Sequence, residues 1–375
     1  MARILFVITE DWALITHRLH LVKAAIQAGH EVAVATHLNG PPRLFAELGV
    51  AVFNWELRRG SLNLVQELTS VLKLRKIINE FQPDLIHAVA LKPVIYSGLA
   101  STFAFKGPMV LALGGVGYIF QNSGLKARLL RWPVRLLLGS IMSGANRLLI
   151  LQNKDDLALF VEQGVVASDQ VRLIRGAGVE TNQFKPSPLP SGPPLIVLPA
   201  RILWDKGVKE FVEVATSITR QRSDVTFALV GDTDHHNPAA VPASLVEEWT
   251  DRDIVVNWTR VDHQDMPDIF RRSLIVCLPS YREGLPKALL EAASSQRPLV
   301  AFDVAGCREI VLHEETGILV PFGDIEALEQ ALLNLLSDRQ KCVELGKNGR
   351  QLVMREFSSE VINLRTFEVW EELMR

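Results

Sequence analysis

The chain has 375 residues, 48% of them hydrophobic, and a net charge of −2 at pH 7. That length suits two ordinary domains with real apolar cores, and so balanced a charge excludes bulk nucleic-acid binding as the main activity. Cys277, Cys307 and Cys342 have neither metal-site nor disulfide spacing, which points to a reducing, cytoplasmic setting. No run of about 18 apolar residues is present, so no membrane-crossing helix is expected. The N-terminal Met1-Ala2-Arg3 leads straight into an apolar run, so no signal peptide is expected.

Ile4 to Thr9 reads as the first strand, followed by a loop with Glu10, Asp11 and Trp12 and a helix from about Thr16 to Ala28 that Gly29 stops. Glu31–Thr36, Asp84–Ala90, Met109–Leu113 and Arg147–Gln152 read as further strands. Strands apolar throughout that alternate with helices imply a parallel sheet covered on both faces. Residues 185–194 hold five prolines in ten positions, which neither a helix nor a central strand tolerates. A domain boundary is placed there, giving domains 1–185 and 186–357. Beyond it, strands are expected at Leu195–Ala200, Thr226–Val230, Ile254–Trp258, Leu274–Leu278, Leu299–Phe302 and Ile318–Val320. Helices follow from Glu326 and from Asp338, and a last one, 358–375, after the N-cap candidates Ser358 and Ser359.

The stretch 276–293 concentrates the chemistry. An apolar strand ends at Pro279 and Ser280, and Gly284-Leu285-Pro286 opens a helix with Pro286 at its first position. Ligands of open α/β sheets bind outside the carboxyl ends of the strands, and a helix N-terminus favours a phosphate. Glu283 before the helix and Glu291 inside it offer carboxylates to hydroxyls. Phosphate and hydroxyls together make up a sugar nucleotide. Taken alone, the pair reads more readily as two solvated surface glutamates.

Glu283 to Glu291, with seven residues between them, resembles the E-x7-E signature of retaining glycosyltransferases of family four, which have the GT-B fold. Ala200-Arg201-Ile202-Leu203-Trp204-Asp205-Lys206-Gly207-Val208 resembles the family's diphosphate-binding segment, and Asp303 to Val311 with Thr316 to Val320 its next loop and strand. The resemblance implies α/β architecture with two doubly wound Rossmann-like domains facing across a cleft, and a C-terminal helix crossing back to the first. It implies that Arg201 and Lys206 neutralise a leaving diphosphate, that Glu283 faces the donor sugar, that Glu291 accepts from the nucleotide ribose, and that backbone at Gly284 and Leu285 holds phosphate. Arg260 stands where the family tends to have glycine beside the nucleobase. The donor implied is a nucleotide-diphosphate sugar, UDP-linked, used without metal or other cofactor.

In the first domain, Thr16-His17-Arg18, His87 to Lys92-Pro93 and Gly114-Gly115-Val116-Gly117-Tyr118 resemble the subgroup that builds bacterial surface glycans on lipid diphosphates. His17, Arg18 and Lys92 are the acceptor-diphosphate candidates; each fits an exposed helix start equally well. Many family members carry a histidine where Gly114 stands, so no single catalytic histidine is assigned. Asp232-Thr233-Asp234-His235-His236 has the residue types of a metal site, but follows a strand where the family has a solvent loop. Gly115/Gly117 and Gly176/Gly178 lack the third glycine of a dinucleotide fingerprint, with Phe120 and Thr181 in its place.

Residues 124–142 carry four cations among leucines. At 100° per residue Arg128, Arg131 and Arg135 share one face, opposite Leu129, Leu130, Val134, Leu136, Leu137 and Ile141, with Pro133 kinking or restarting the helix. The pattern fits a helix on an anionic membrane and equally a core-facing helix with a solvated basic side. The reading is a retaining hexosyltransferase that moves a hexose or N-acetylhexosamine from a nucleotide sugar to a lipid-linked saccharide, cytoplasmic or peripheral on the inner face of the membrane. The alternatives are an epimerase or hydrolase of the same fold, or a non-catalytic sugar-nucleotide sensor.

Overall fold

The computed structural model describes residues 1–40, 43–57, 63–102, 104–115, 125–234, 237–258 and 261–375. These form two compact units, Met1–Ala177 with Ile362–Arg375, and Gly178–Val361.

The first unit is built on β1 (Arg3–Glu10), β2 (Glu31–His37), β3 (Ala51–Asn54), β4 (Leu85–Val89), β5 (Met109–Ala112), β6 (Arg147–Leu151) and β7 (Val171–Leu173). They form one 7-stranded sheet in the order β3-β2-β1-β4-β5-β6-β7, its pairings parallel. Apolar runs such as Ile4–Ile8 are buried on both sides, because helices cover both faces. Leu74, Ile78, Val94 and Phe160 pack on one face, and Leu14, Leu21, Val22 and Phe45 on the other.

The second unit holds β8 (Leu195–Pro199), β9 (Thr226–Val230), β10 (Val256–Trp258), β11 (Ile275–Leu278), β12 (Leu299–Phe302) and β13 (Gly317–Val320). Their order is β10-β9-β8-β11-β12-β13, again parallel. In each sheet the strand order reverses once, between β1 and β4 and between β8 and β11. Such a switch point leaves a crevice at the carboxyl ends, where doubly wound folds bind ligands.

Several expectations change. The first helix is two, Asp11–His17 and Leu19–Gln27, broken at Arg18 with φ −135°. The expected proline-run boundary falls inside the second unit. Arg297, fully buried, holds that run from below: it donates from Nη2 to Ser187 Oγ at 2.9 Å and from Nη1 to Ser273 O at 3.1 Å. The chain crosses instead after Ala177, since Val179 N donates to Phe357 O at 3.0 Å and Phe184 is buried in the second core. The last helix, Ser359–Met374, is capped by Ser358, whose Oγ accepts from Val361 N at 3.3 Å. From Ile362 onward it belongs to the first unit, as the crossing-back expectation requires, with Trp370 edge-on to Phe6 at 6.0 Å between ring centres. The helix Leu125–Met142 runs through Pro133 without restarting. Leu138, Ile141 and Met142 face the core, whereas Trp132, Leu136 and Leu137 are exposed. Exposed Leu136 and Leu137 beside buried Leu138 and Ile141 leave the apolar side partly on the core and partly open; the side chains of Arg128, Leu129 and Leu130 lie outside the description.

Candidate active site

The site-bearing segments leave adjacent strands. After β8 come Ala200 to Gly207 and the helix Val208–Gln221; after β11, Pro279 to Pro286 and the helix Lys287–Ser294; after β12, Val304 and the helix Ala305–Arg308. Two glycines let them close up. Gly207 sits at φ +73°, and a Cβ there would lie 1.9 Å from Pro279 O. A Cβ on Gly306 would lie 2.6 Å from Gly284 O and 2.7 Å from Glu283 O. Only backbone without a side chain brings these loops into van der Waals contact.

That closure places Lys206 Nζ 2.6 Å from Glu283 Oε1. Beside them Arg282 Nη2 pairs with Asp205 at 3.1 Å, and Tyr281 N donates to Asp205 O at 3.0 Å. Tyr281 also donates its hydroxyl to Glu210. Burial, and then the neighbouring Glu210 carboxylate, push the phenol up to about 12. Cys307 is fully buried nearby; burial first, and the charge of Glu283 second, push its thiol well up, so it is no thiolate nucleophile.

Pro286 is the N-cap rather than the first residue of its helix, which begins at Lys287. Proline offers no side-chain acceptor, and no side chain caps this end. Leu289 N and Leu290 N donate to Pro286 O, and the positive end of the helix dipole lies at this turn. Leu285 packs against the core and Gly284 is held under Gly306.

Glu291 lies about one turn into that helix, 3% exposed, with Oε1 2.6 Å from His263 Nε2 and 3.7 Å from Lys287 Nζ. Neither partner was singled out from sequence. The i,i+4 spacing of Lys287 to Glu291 was the available signal. His263, in a short 3-10 turn after β10 and edge-on to Phe184 at 5.7 Å, had none. Arg201 lies apart from the Lys206–Glu283 pair in bonding: its Nη1 holds Asp234 Oδ2 at 2.7 Å. Asp234 is thereby a partner of a cation. His235 and His236 of the metal-site reading lie outside the described residues, as does Arg260; among the described residues no cluster of three or more metal-ligating side chains occurs.

In the first unit, Lys92 Nζ contacts Glu67 Oε1 at 3.0 Å and Oε2 at 3.2 Å, and His17 ends the helix Asp11–His17, half-buried. Arg18 is buried at 6% exposure, contrary to the reading of a helix start exposed to water. Its side chain turns inward at the break between the two helices. At the switch point beside β4, Ala90 takes φ +83°, ψ 160°, a glycine-like region costing a side chain about 1–3 kcal/mol. Its N–H and C=O are both used, to Ala112 O at 2.9 Å and from Val94 N at 3.0 Å. Gly117 and Tyr118 lie outside the described residues.

Residues 179–352 match the family model described as glycosyl transferases group 1, and residues 3–147 the model described as glycosyl transferase 4-like. The chain is 25% identical over 372 residues, 96% of its own length and 95% of the relative's, to the N,N'-diacetylbacillosaminyl-diphospho-undecaprenol alpha-1,3-N-acetylgalactosaminyltransferase of Campylobacter jejuni. It is 23% identical over 311 residues, 80% of this chain and 78% of the relative, to the UDP-Gal:alpha-D-GlcNAc-diphosphoundecaprenol alpha-1,3-galactosyltransferase of Escherichia coli. Sucrose-phosphate synthase from Thermosynechococcus elongatus has the same fold: TM-score 0.81, 21% identity, covering 100% of this chain and 99% of that one.

Proposed function

The chain belongs to the glycosyltransferases, its first half to the 4-like and its second to the group 1 family, and from that premise we propose that it transfers a hexose or N-acetylhexosamine, with retention, from a UDP-linked sugar to a saccharide carried on a lipid diphosphate. The observation that carries the reading is the Lys206–Glu283 contact of 2.6 Å at the β8/β11 switch point. It puts one cation and one carboxylate beside an uncapped helix N-terminus, the three elements a departing nucleotide diphosphate and an electron-poor sugar ring require. Breaking the anomeric bond gives the ring oxocarbenium character and loads negative charge on the diphosphate. Lys206, Arg201 and the positive end of the helix dipole at Lys287 meet the charge; Glu283 meets the ring. Donor binding exchanges Lys206 from Glu283 to phosphate, which frees the carboxylate for the sugar. Glu291 receives the ribose hydroxyls, sharing them with His263. These cations do for the diphosphate what a divalent ion does elsewhere, so no metal is required.

The acceptor class follows from what the two relatives' names say they act on, both being undecaprenyl-diphosphate-linked sugars. No described helix is long and apolar enough to cross a membrane. Contact with the lipid surface is instead peripheral. The helix Leu125–Met142 presents Trp132, 68% exposed, and Leu136 next to Arg135. The helix Leu64–Phe81 presents Leu64, 84% exposed, with Val65, Leu68 and Leu72 on the same side. Exposed leucines in a row flanked by Arg75 and Lys76 suit an anionic bilayer interface on the cytoplasmic side. Incubation with a panel of sugar nucleotides and a polyprenyl-diphosphate sugar, read by mass spectrometry, tests the reading. A mass gain of one hexose or N-acetylhexosamine on the lipid supports it; free sugar or an epimerised donor with no lipid product overturns it.

A further inference from the structure

We propose that a small cavity inside the first unit, where Arg18 and His87 converge, binds a monatomic inorganic anion, chloride in solution, as the internal counter-ion of Arg18. The cavity has a volume of about 10 Å³ and is lined by Arg18 and His87 together with Ala112, Ile150, Ile174 and Thr366, among others. None of the described residues lining it carries a carboxylate. That volume admits about one water-sized particle, so a phosphate with its four oxygens does not fit.

Both polar groups are buried and both are donors. Arg18 is 6% and His87 1% exposed. Among the described residues Arg18 Nε has no acceptor, and the guanidinium's one bond, from Nη1 to His17 O, is long at 3.4 Å. Burial drags Arg18 down to about 10, which still leaves it a cation at neutral pH. Trp370 Nε1 donates to His87 Nδ1 at 3.1 Å, so the neutral ring carries its proton on Nε2, which also has no acceptor among the described residues. Burial first, and the charge of Arg18 second, hold His87 neutral down to about pH 3. A guanidinium and an imidazole, each with a buried N–H that lacks an acceptor among the described residues, thus line one small space together with aliphatic side chains. Buried donors take partners, and a buried cation takes a counter-charge. Water satisfies the donors but leaves the charge uncompensated; a halide does both.

The position gives the site a consequence. His20, on the cavity's rim, bonds through Nδ1 to Asn363 Oδ1 at 2.7 Å and through Nε2 to Ala177 O. The two segments at which the chain leaves and re-enters the first unit are therefore tied down beside the anion.

Two measurements on the full chain test this, and neither depends on the transfer reaction. In the first, crystals soaked in sodium bromide are examined for anomalous scattering; a bromide between Arg18 Nε and His87 Nε2 is expected. In the second, thermal unfolding is followed in chloride and in gluconate at equal ionic strength and pH. Chloride is expected to raise Tm saturably by about 2–4 °C, and Arg18→Met, which keeps the stem and removes the charge, to abolish the rise. Bromide only at surface positions, or a chloride effect equal in wild type and Arg18→Met, overturns the proposal. If Arg18→Met does not fold, the bromide map of the wild type decides alone.

Discussion

Lys206 and Glu283, 77 positions apart in sequence, form a direct ion pair at 2.6 Å with side chains only 20% and 11% exposed. Each is the other's counter-ion before a donor arrives. Truncating one leaves the other partly buried and unpaired, which costs more than the pair itself contributes.

Lys206→Ala and Arg201→Ala are each expected to lower kcat by about 10²–10³, the scale for losing one preorganised donor to developing charge. Steady-state kinetics with the donor found in the panel assay checks this. Near-normal turnover in both variants removes the diphosphate role. Because Arg201 starts on the half-buried Asp234 rather than on Glu283, its loss is expected to leave the Lys206–Glu283 pair intact.

The two glutamates are expected to separate kinetically. Glu291→Gln, at the proposed ribose contact, is expected to raise donor KM more than it lowers kcat, the pattern of lost uniform binding. Glu283→Gln lowers kcat while donor binding by calorimetry changes little. His263→Ala is expected to follow Glu291→Gln, since its ring holds that carboxylate at 2.6 Å. The reverse split would mean the roles are exchanged.

Activity is expected to persist in EDTA. The warrant is the proposed reading, in which Lys206, Arg201 and the helix N-terminus at Lys287 take the diphosphate charge. Full loss in EDTA with recovery on adding manganese would shift the chemistry towards Asp232 and Asp234.

Binding to anionic vesicles is expected at low salt, weakening as salt rises. Each cation near the surface contributes about 1 kcal/mol. Flotation of the triple Arg128→Gln, Arg131→Gln, Arg135→Gln variant, and separately of Leu64→Ser with Leu68→Ser, measures the share of each helix. If neither variant floats less than wild type, these faces do not touch lipid.

Stability is expected to fall on acidification through a contribution from His87. Its folded pKa, about 3, lies below the unfolded value of about 6.5. The unfolded chain therefore binds the extra proton between those limits. This contribution is whole above about pH 6.5 and is lost progressively as pH falls towards 3. The pH dependence of Tm in His87→Gln should be flatter than wild type across that window; parallel curves would mean that His87 is protonated without penalty in the folded state.

The sequence by itself determined the two parallel sheets, because runs such as Leu195–Pro199 and Leu299–Phe302 are apolar at every position and a strand buried on both faces demands that. It also placed the strand–turn–helix at Glu283, since proline and glycine there act locally through backbone geometry. It did not disclose β3 or β7, which lie at the two edges of the first sheet. Ala51–Asn54 and Val171–Leu173 are partly exposed, so no continuous apolar run marks them. Only the tertiary structure decided which charges meet. Lys206 finds Glu283 because Gly207 has no Cβ to strike Pro279, His263 finds Glu291 across the sheet's edge, and Arg18 turns inward where a helix breaks. Trp370 sets the proton of His87 from a residue 283 positions away. Periodicity reports a residue's relation to its own element; a partner brought by another strand leaves no trace in it until the sheet has closed.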